Sequence, residues 1–336
     1  MIKIVNWVLT RKCNLNCDYC AIVKNYSNKP SQYPDMKHYH KNEMSTEYVI
    51  RSLDTIKQHN PDAFHIFYGG EPLLRKDLPE IVAHCNDNDI PYTIISNSSP
   101  EFKQSVKEMI NHGGIMGYST SVDPVFALDD VDGDRKIKSL NGLETLIEYE
   151  DLIPDLVAEV TISNDTIDNL YSIVAVLASR GIMISLTFID IAKNSYYDFS
   201  NVYDKDQLVS WNDTLKYELN ILMSVYKNSI HMADTIVPMF KDILPSNMDC
   251  EIEKNLHNIT IDADGSIRLC LRIRGVDTPD NITVDNLFDN EYKVTEIAMD
   301  CITNDKEAYC ELCNHTCHLM SKVDDTEGIL HSEKRL

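Results

Sequence analysis

The chain has 336 residues, 43% of them hydrophobic, enough to bury the core of a large domain with a smaller one beside it. Its formal net charge of -22 argues against a partner such as duplex nucleic acid, whose backbone calls for clustered Lys and Arg. No stretch of about eighteen apolar residues occurs and the first residues carry no signal-peptide core, so no membrane partner is expected and the expected location is cytoplasmic.

Residues 2–9, rich in Ile, Val and Trp, read as a buried first strand that ends where Cys13, Cys17 and Cys20 form a CxxxCxxC triad. Three thiolates on one short loop can hold three irons of a [4Fe-4S] cube and leave the fourth iron open. Structural zinc is the competing reading, but it usually pairs two Cys or His hooks, and no second hook lies nearby in the sequence. A polar loop follows to residue 43, and Ser45 is placed to cap a helix reaching His59. Strands are then predicted at 63–68, 92–96, 116–121, 156–162 and 182–189, alternating with helices at 78–85, 101–110, 141–149 and 167–179. This alternation predicts an α/β fold with a parallel sheet, whose chemistry gathers at the carboxyl ends of the strands. Gly69-Gly70-Glu71-Pro72 ends the second strand, where two glycines permit close backbone approach to a ligand. Cys85, on a predicted outer helix, reads as core.

Residues 194–249 form a connector with a predicted helix at 206–226, whose apolar spacing marks a packing face. A second cysteine group then runs through Cys250, Cys270, Cys301, Cys310, Cys313 and Cys317. Residues 259–261 and 266–271 flank Asp262-Ala263-Asp264-Gly265 and read as a β-hairpin that carries Cys270 back toward Cys250. The expected division is a core over 1–193, the connector, a small cysteine-rich extension over 250–322 and a polar tail from 323.

The triad placed directly after a first strand, Tyr19 before its last cysteine, and Gly69-Gly70-Glu71-Pro72 one βα unit later resemble the radical S-adenosylmethionine (SAM) superfamily. The resemblance implies a partial (β/α)6 TIM-like barrel and an enzyme whose open iron chelates the amino and carboxylate groups of SAM. An electron from the cluster would cleave SAM reductively, and the 5'-deoxyadenosyl radical would abstract hydrogen from a substrate. It also implies SAM contacts from Tyr19, Gly69, Gly70, Glu71 and Pro72, with the turn receiving the amino group and Glu71 anchoring it. Ser121 would bind the ribose, Arg135 the SAM carboxylate, and Asn164 the ribose or adenine. For Arg135, neutralisation of the acidic run at 129–134 stands as an equal alternative. Ser96-Asn97-Ser98 resembles the family's Thr-Asn-Gly, with Ser98 in place of glycine and a structural role expected.

The cysteine-bracketed hairpin resembles the SPASM and Twitch extensions of such enzymes. It implies one auxiliary [4Fe-4S] cluster on Cys250, Cys270, Cys310 and Cys313, with Cys317 the rival for either of the last two. Zinc on four thiolates is the alternative. The function expected from the resemblance is oxidation, crosslinking or epimerisation of a peptide or protein residue. A dehydrogenase or rearrangement enzyme for a small molecule is the second reading, and a non-catalytic metal-binding interaction module the third. The expected partners are the substrate, an external electron donor such as flavodoxin or ferredoxin, and a separate peptide-recognition protein. That last partner would replace a recognition domain, since the first residues already read as the barrel's first strand. Nothing in the spacing selects a catalytic hydrogen or proton donor.

Overall fold

The structure is a computed structural model that describes residues 2–15, 17, 20, 43–123, 133–162, 167–188, 213–230, 258–268 and 283–288. Within these, β1 (Ile4–Thr10), β2 (Phe64–Gly69), β3 (Tyr92–Ser96), β4 (Gly117–Ser121), β5 (Asp155–Ile162) and β6 (Met183–Phe188) pair in parallel in that order. The helices between them are α1 (Thr46–His59), α2 (Leu78–Asp87), α3 (Lys103–Asn111), α4 (Gly133–Tyr149) and α5 (Leu170–Ser179). The expected βα alternation is therefore present. Among the described residues β6 and the hairpin at the other edge are not paired, so the sheet they form is open there. It is a partly open α/β barrel.

The hairpin enlarges that sheet. Its first strand, β7 (Asn258–Ile261), lies parallel to β1 on the side away from β2, in a register that sets Ile4 against Asn258 and Trp7 against Ile261. Its second, β8 (Ile267–Arg268), returns antiparallel, and Gly265 supplies the positive φ of 85° in the turn. The hairpin stands where its turn chemistry predicted. Its union with the core sheet was not anticipated, since β7 is too short for its apolar pattern to announce a partner strand.

Alternation along the strands decides which face is core. On β5, Leu156, Ala158, Val160 and Ile162 are buried while Asp155, Val157, Glu159 and Thr161 stay partly exposed. The buried set joins Ile173, Val174 and Leu177 of α5 in one hydrophobic cluster. Ser45 caps α1 as expected, its hydroxyl accepting from the Tyr48 N–H at 3.2 Å. Cys85 is core, and burial pushes its thiol up to about 12. Helix α4 begins at Gly133, ahead of the expected residue 141. Its buried side carries Lys138, Ser139, Asn141, Gly142 and Thr145, so hydrophobic periodicity could not mark its first turns. In the connector, α6 (Asp213–Val225) buries Leu219, Leu222 and Met223, and Ile230 after it forms a bridge with Ile184 on β6. A last short helix, α7 (Val284–Leu287), packs beside α1 through Val284 and Leu287. No helix among the described residues is long and apolar enough to cross a membrane.

His65 sits on the helix side of β2, fully buried, and its Nδ1 accepts from the Trp7 indole N–H at 2.9 Å. An accepting Nδ1 requires a neutral ring, and burial holds the pKa down to about 3. The unfolded chain therefore binds this proton first as pH falls below the ordinary histidine value, and folding stability is lost progressively from about pH 6.5 to 3. In urea unfolding, the parent should lose about 3 kcal/mol more than His65→Gln between pH 7 and pH 4, since glutamine keeps an acceptor for Trp7 without titrating. Equal losses in the two proteins would show that this histidine is not the cause.

Candidate functional site

The cysteine loop leaves the carboxyl end of β1 and is held from both neighbouring strands. On the β2 side, the Gly70 N–H donates to the Thr10 carbonyl at 2.8 Å and the Glu71 N–H to the Lys12 carbonyl at 2.8 Å. A Cβ at Gly69 would lie 2.2 Å from the Thr10 oxygen, and one at Gly70 would lie 2.2 Å from the Lys12 oxygen. The two glycines thus permit a close approach to the cysteine loop's own backbone. Arg75 adds to this side, donating from Nη1 to the Leu9 carbonyl at 3.0 Å while its Nε meets Asp77 at 3.0 Å.

On the β7 side, the Arg11 guanidinium is fully buried and pairs with Asp262 at 2.6 Å and Asp264 at 3.2 Å, both in the hairpin turn. Burial pulls the Asp264 carboxyl upward, but the Arg11 cation and hydrogen bonds from Ser266 outweigh it and leave the group below its ordinary value. Nearby, the Met44 N–H donates to the Ala263 carbonyl at 2.7 Å, and Thr10 Oγ1 donates to Glu43 at 2.7 Å. Sequence reasoning missed this clamp. Its signal is an arginine at the end of an apolar strand together with two acids in a turn that needed only one.

Glu71 is fully buried and caps a short 3-10 turn over Pro72–Leu74. Its carboxyl accepts from the Leu73 N–H at 3.0 Å, Ser96 Oγ at 2.9 Å and the Asn97 N–H at 2.8 Å. Burial pushes it up to about 7 against these donors. The Gly-Gly-Glu-Pro turn is thereby fastened to the carboxyl end of β3. At the end of β4, Asp123 and Lys138 form a buried ion pair at 3.0 Å, and Ser139 Oγ donates to the Asp123 carbonyl at 2.7 Å. Ser121, partly exposed, precedes this pair, and α4 passes so close that a Cβ on Gly142 would lie 2.4 Å from the Ser121 carbonyl oxygen.

Cys17 is buried, while Cys13 and Cys20 are partly exposed, and none of the three is in a disulfide. The Cys20 N–H donates to the Cys17 carbonyl at 3.1 Å, closing the loop on itself. Burial pushes Cys13 up to about 11 and Cys17 up to about 12. Cys13 also feels the charge of Cys20, and Cys17 that of Cys20 and Cys13, while Lys138 pulls Cys17 down. The sulfurs therefore lie within electrostatic reach of one another. No three His, Cys, Asp or Glu side chains among the described residues converge on one ion-sized point. Three thiols on one short loop are a donor set that suits an iron-sulfur cluster, and donors already face one of them: Cys13 Sγ accepts from the Leu15 N–H at 3.4 Å and from Asn97 Nδ2 at 3.8 Å.

Of the expected SAM contacts, Gly69, Gly70, Glu71, Pro72 and Ser121 come together along the carboxyl edge of β2 to β4 beside the triad. Arg135 lies in α4, where only the backbone is described. Tyr19 and Asn164 lie outside the described residues, as do Cys250, Cys270, Cys301, Cys310, Cys313 and Cys317.

Residues 7–128, from β1 to just past β4, match the family model described as the radical SAM superfamily. Over 127 residues the chain is 28% identical to the Fe-coproporphyrin III synthase of Methanosarcina barkeri, covering 38% of this chain and 29% of that protein. Over 137 residues it is 29% identical to the PqqA peptide cyclase of Granulibacter bethesdensis, covering 41% of this chain and 32% of that one. The chain thus spans less than half the length of these curated relatives. Its fold is like that of Streptococcus suis SuiB bound to S-adenosylmethionine, with a TM-score of 0.60 at 15% identity over 87% of this chain and 65% of that one.

Two substitutions test how the loop is held. Gly70→Ala should displace the cysteine loop and cut iron uptake on anaerobic reconstitution by more than half, while far-ultraviolet circular dichroism stays at the parent value; full uptake would show that the close approach is dispensable. Arg11→Met leaves two acids uncompensated, one of them fully buried, and should cost about 3–5 kcal/mol in urea unfolding. A loss below about 1 kcal/mol would mean that the ion pair behaves like a solvated surface contact.

Proposed function

We propose that this chain, whose residues 7–128 match the radical SAM superfamily model, is a radical SAM enzyme with Cys13, Cys17 and Cys20 as the ligands of its catalytic [4Fe-4S] cluster. The observation that carries this reading is the three-cysteine loop fixed at the carboxyl end of β1, with the Gly-Gly-Glu-Pro turn hydrogen-bonded to it. When bound, the cluster would supply the electron for reductive cleavage of SAM, the chemistry that would lead to hydrogen abstraction from the substrate. The chain's own residues orient these parts. Gly69 to Pro72 present backbone groups to the SAM amino group, Glu71 holds that turn against β3, and Ser121 offers its hydroxyl to the ribose. Arg135 takes the SAM carboxylate, and Tyr19 and Asn164 complete the cofactor contacts.

The substrate we favour is a residue of a peptide or protein, altered by oxidation, crosslinking or epimerisation, with flavodoxin or ferredoxin as electron donor. The likeness to a peptide cyclase supports it. The likeness to an Fe-coproporphyrin synthase supports the second reading, a small molecule, and the two separate on the mass of candidate peptides before and after turnover. Cys250, Cys270, Cys310, Cys313 and Cys317 are the candidate ligands of one auxiliary cluster in a Twitch or reduced SPASM extension. The support for it is their spacing around the hairpin.

After anaerobic reconstitution the parent should hold about eight irons with matching sulfide, falling to about four in Cys13→Ala/Cys17→Ala/Cys20→Ala. SAM cleavage to 5'-deoxyadenosine should disappear in that variant. About four irons falling to none, with zinc retained, would remove the auxiliary cluster and leave the catalytic one. No iron in the parent, or SAM cleavage that survives the triple substitution, would sink the enzyme reading itself.

A further inference from the structure

Asn97 was expected only to end a strand, yet its side chain reaches the first cysteine of the triad. The residue is buried, and its backbone N–H donates to Glu71 Oε2 at 2.8 Å. Its side-chain oxygen accepts twice from Ser99, from the backbone N–H at 2.9 Å and from Oγ at 2.7 Å. Those two bonds settle which way the amide points, because a flipped amide would set its NH2 group against the Ser99 N–H. Nδ2 is left facing the cysteine loop, with Asn14 Oδ1 at 2.8 Å and Cys13 Sγ at 3.8 Å. Asn14 is itself braced, donating to Ser99 Oγ at 2.9 Å and to Glu101 at 2.6 Å. The Leu15 N–H that also reaches Cys13 belongs to the loop, whereas the Asn97 donor is delivered by a different strand.

We propose that Asn97 is a positioning residue whose side-chain N–H donates to the Cys13 thiolate and raises the reduction potential of the cluster held by the triad. The inference rests on the cluster assignment made under Proposed function. Reduction adds negative charge that the ligand sulfurs share, so a fixed donor at one sulfur stabilises the reduced form more than the oxidised one. The same donor orients Cys13 within its loop.

The test compares midpoint potentials of the reconstituted full-length parent, Asn97→Asp and Asn97→Ala at pH 8, by titration with titanium(III) citrate followed by electron paramagnetic resonance. The signal followed is the one absent from Cys13→Ala/Cys17→Ala/Cys20→Ala. Asn97→Asp keeps an oxygen for Ser99 while replacing the donor by a carboxylate oxygen, so it retains the strand-end scaffold and its shift combines the lost donor with an added negative charge, whereas Asn97→Ala removes the donor without adding charge. Reduction in Asn97→Asp should become about tenfold less favourable, a downward shift of about 59 mV for one electron, with a smaller downward shift in Asn97→Ala. Parent potentials in both variants at full iron content would overturn the proposal. Loss of iron from both variants would overturn it equally, by assigning Asn97 to loop assembly instead. A parent that takes up no cluster on the triad would overturn the enzyme reading first, and this inference with it.

Discussion

Arg11 is the contact on which the arrangement of the site turns. A guanidinium removed from water beside a buried aspartate gains little net stability over an apolar pair of the same shape, because desolvation offsets most of the attraction. What such a pair contributes is position, since displacement of either partner leaves a charge buried alone. Here it fixes the residue immediately after β1 against the turn between β7 and β8. Gly70 and Glu71 fix the residues on either side of Arg11 from β2. The segment that launches the three cysteines is therefore gripped along both edges, and the loop beyond it starts from a set direction.

That grip also explains the burial of acids that would otherwise be unfavourable. Glu71 and Asp123 are both fully enclosed, and each has a task at the end of a strand. Glu71 gathers donors from its own turn and from β3, and Asp123 meets Lys138 from the helix after β4. The ends of β2 and β4 are thus each tied to the following element by a charged side chain. The helix-facing side of the sheet relies mainly on apolar packing, with the buried Trp7–His65 hydrogen bond within it. Polar groups concentrate at the carboxyl edge because parallel strands leave their last backbone groups there without partners, and side chains must satisfy them.

The βα alternation was legible in the sequence because most strands are apolar runs or alternations and most helices carry their own apolar period, as do β5 and α1. The triad and Gly69-Gly70-Glu71-Pro72 were legible as local motifs. The start of α4 was not, since the face it buries is built from lysine, serine, asparagine and glycine. Nor was the Arg11 clamp, whose partners lie far apart in the chain and share no local pattern. Asn97 was read as a strand terminator for the same reason. A side chain aimed at a residue in another loop leaves no trace in its immediate neighbours.

The position of β7 bears on how the two cysteine groups relate. Cys250 and Cys270 bracket the hairpin in sequence, and the hairpin's first strand is hydrogen-bonded to β1 over Ile4 to Trp7. Its turn holds Arg11, directly ahead of the triad. A separate extension on a free linker would leave the first cysteines indifferent to the second group. With β7 inside the core sheet, the element that the second group flanks in sequence is the same element that sets the origin of the first loop. Any constraint on the ends of that hairpin acts on a strand adjoining β1, so the two groups share one mechanical reference.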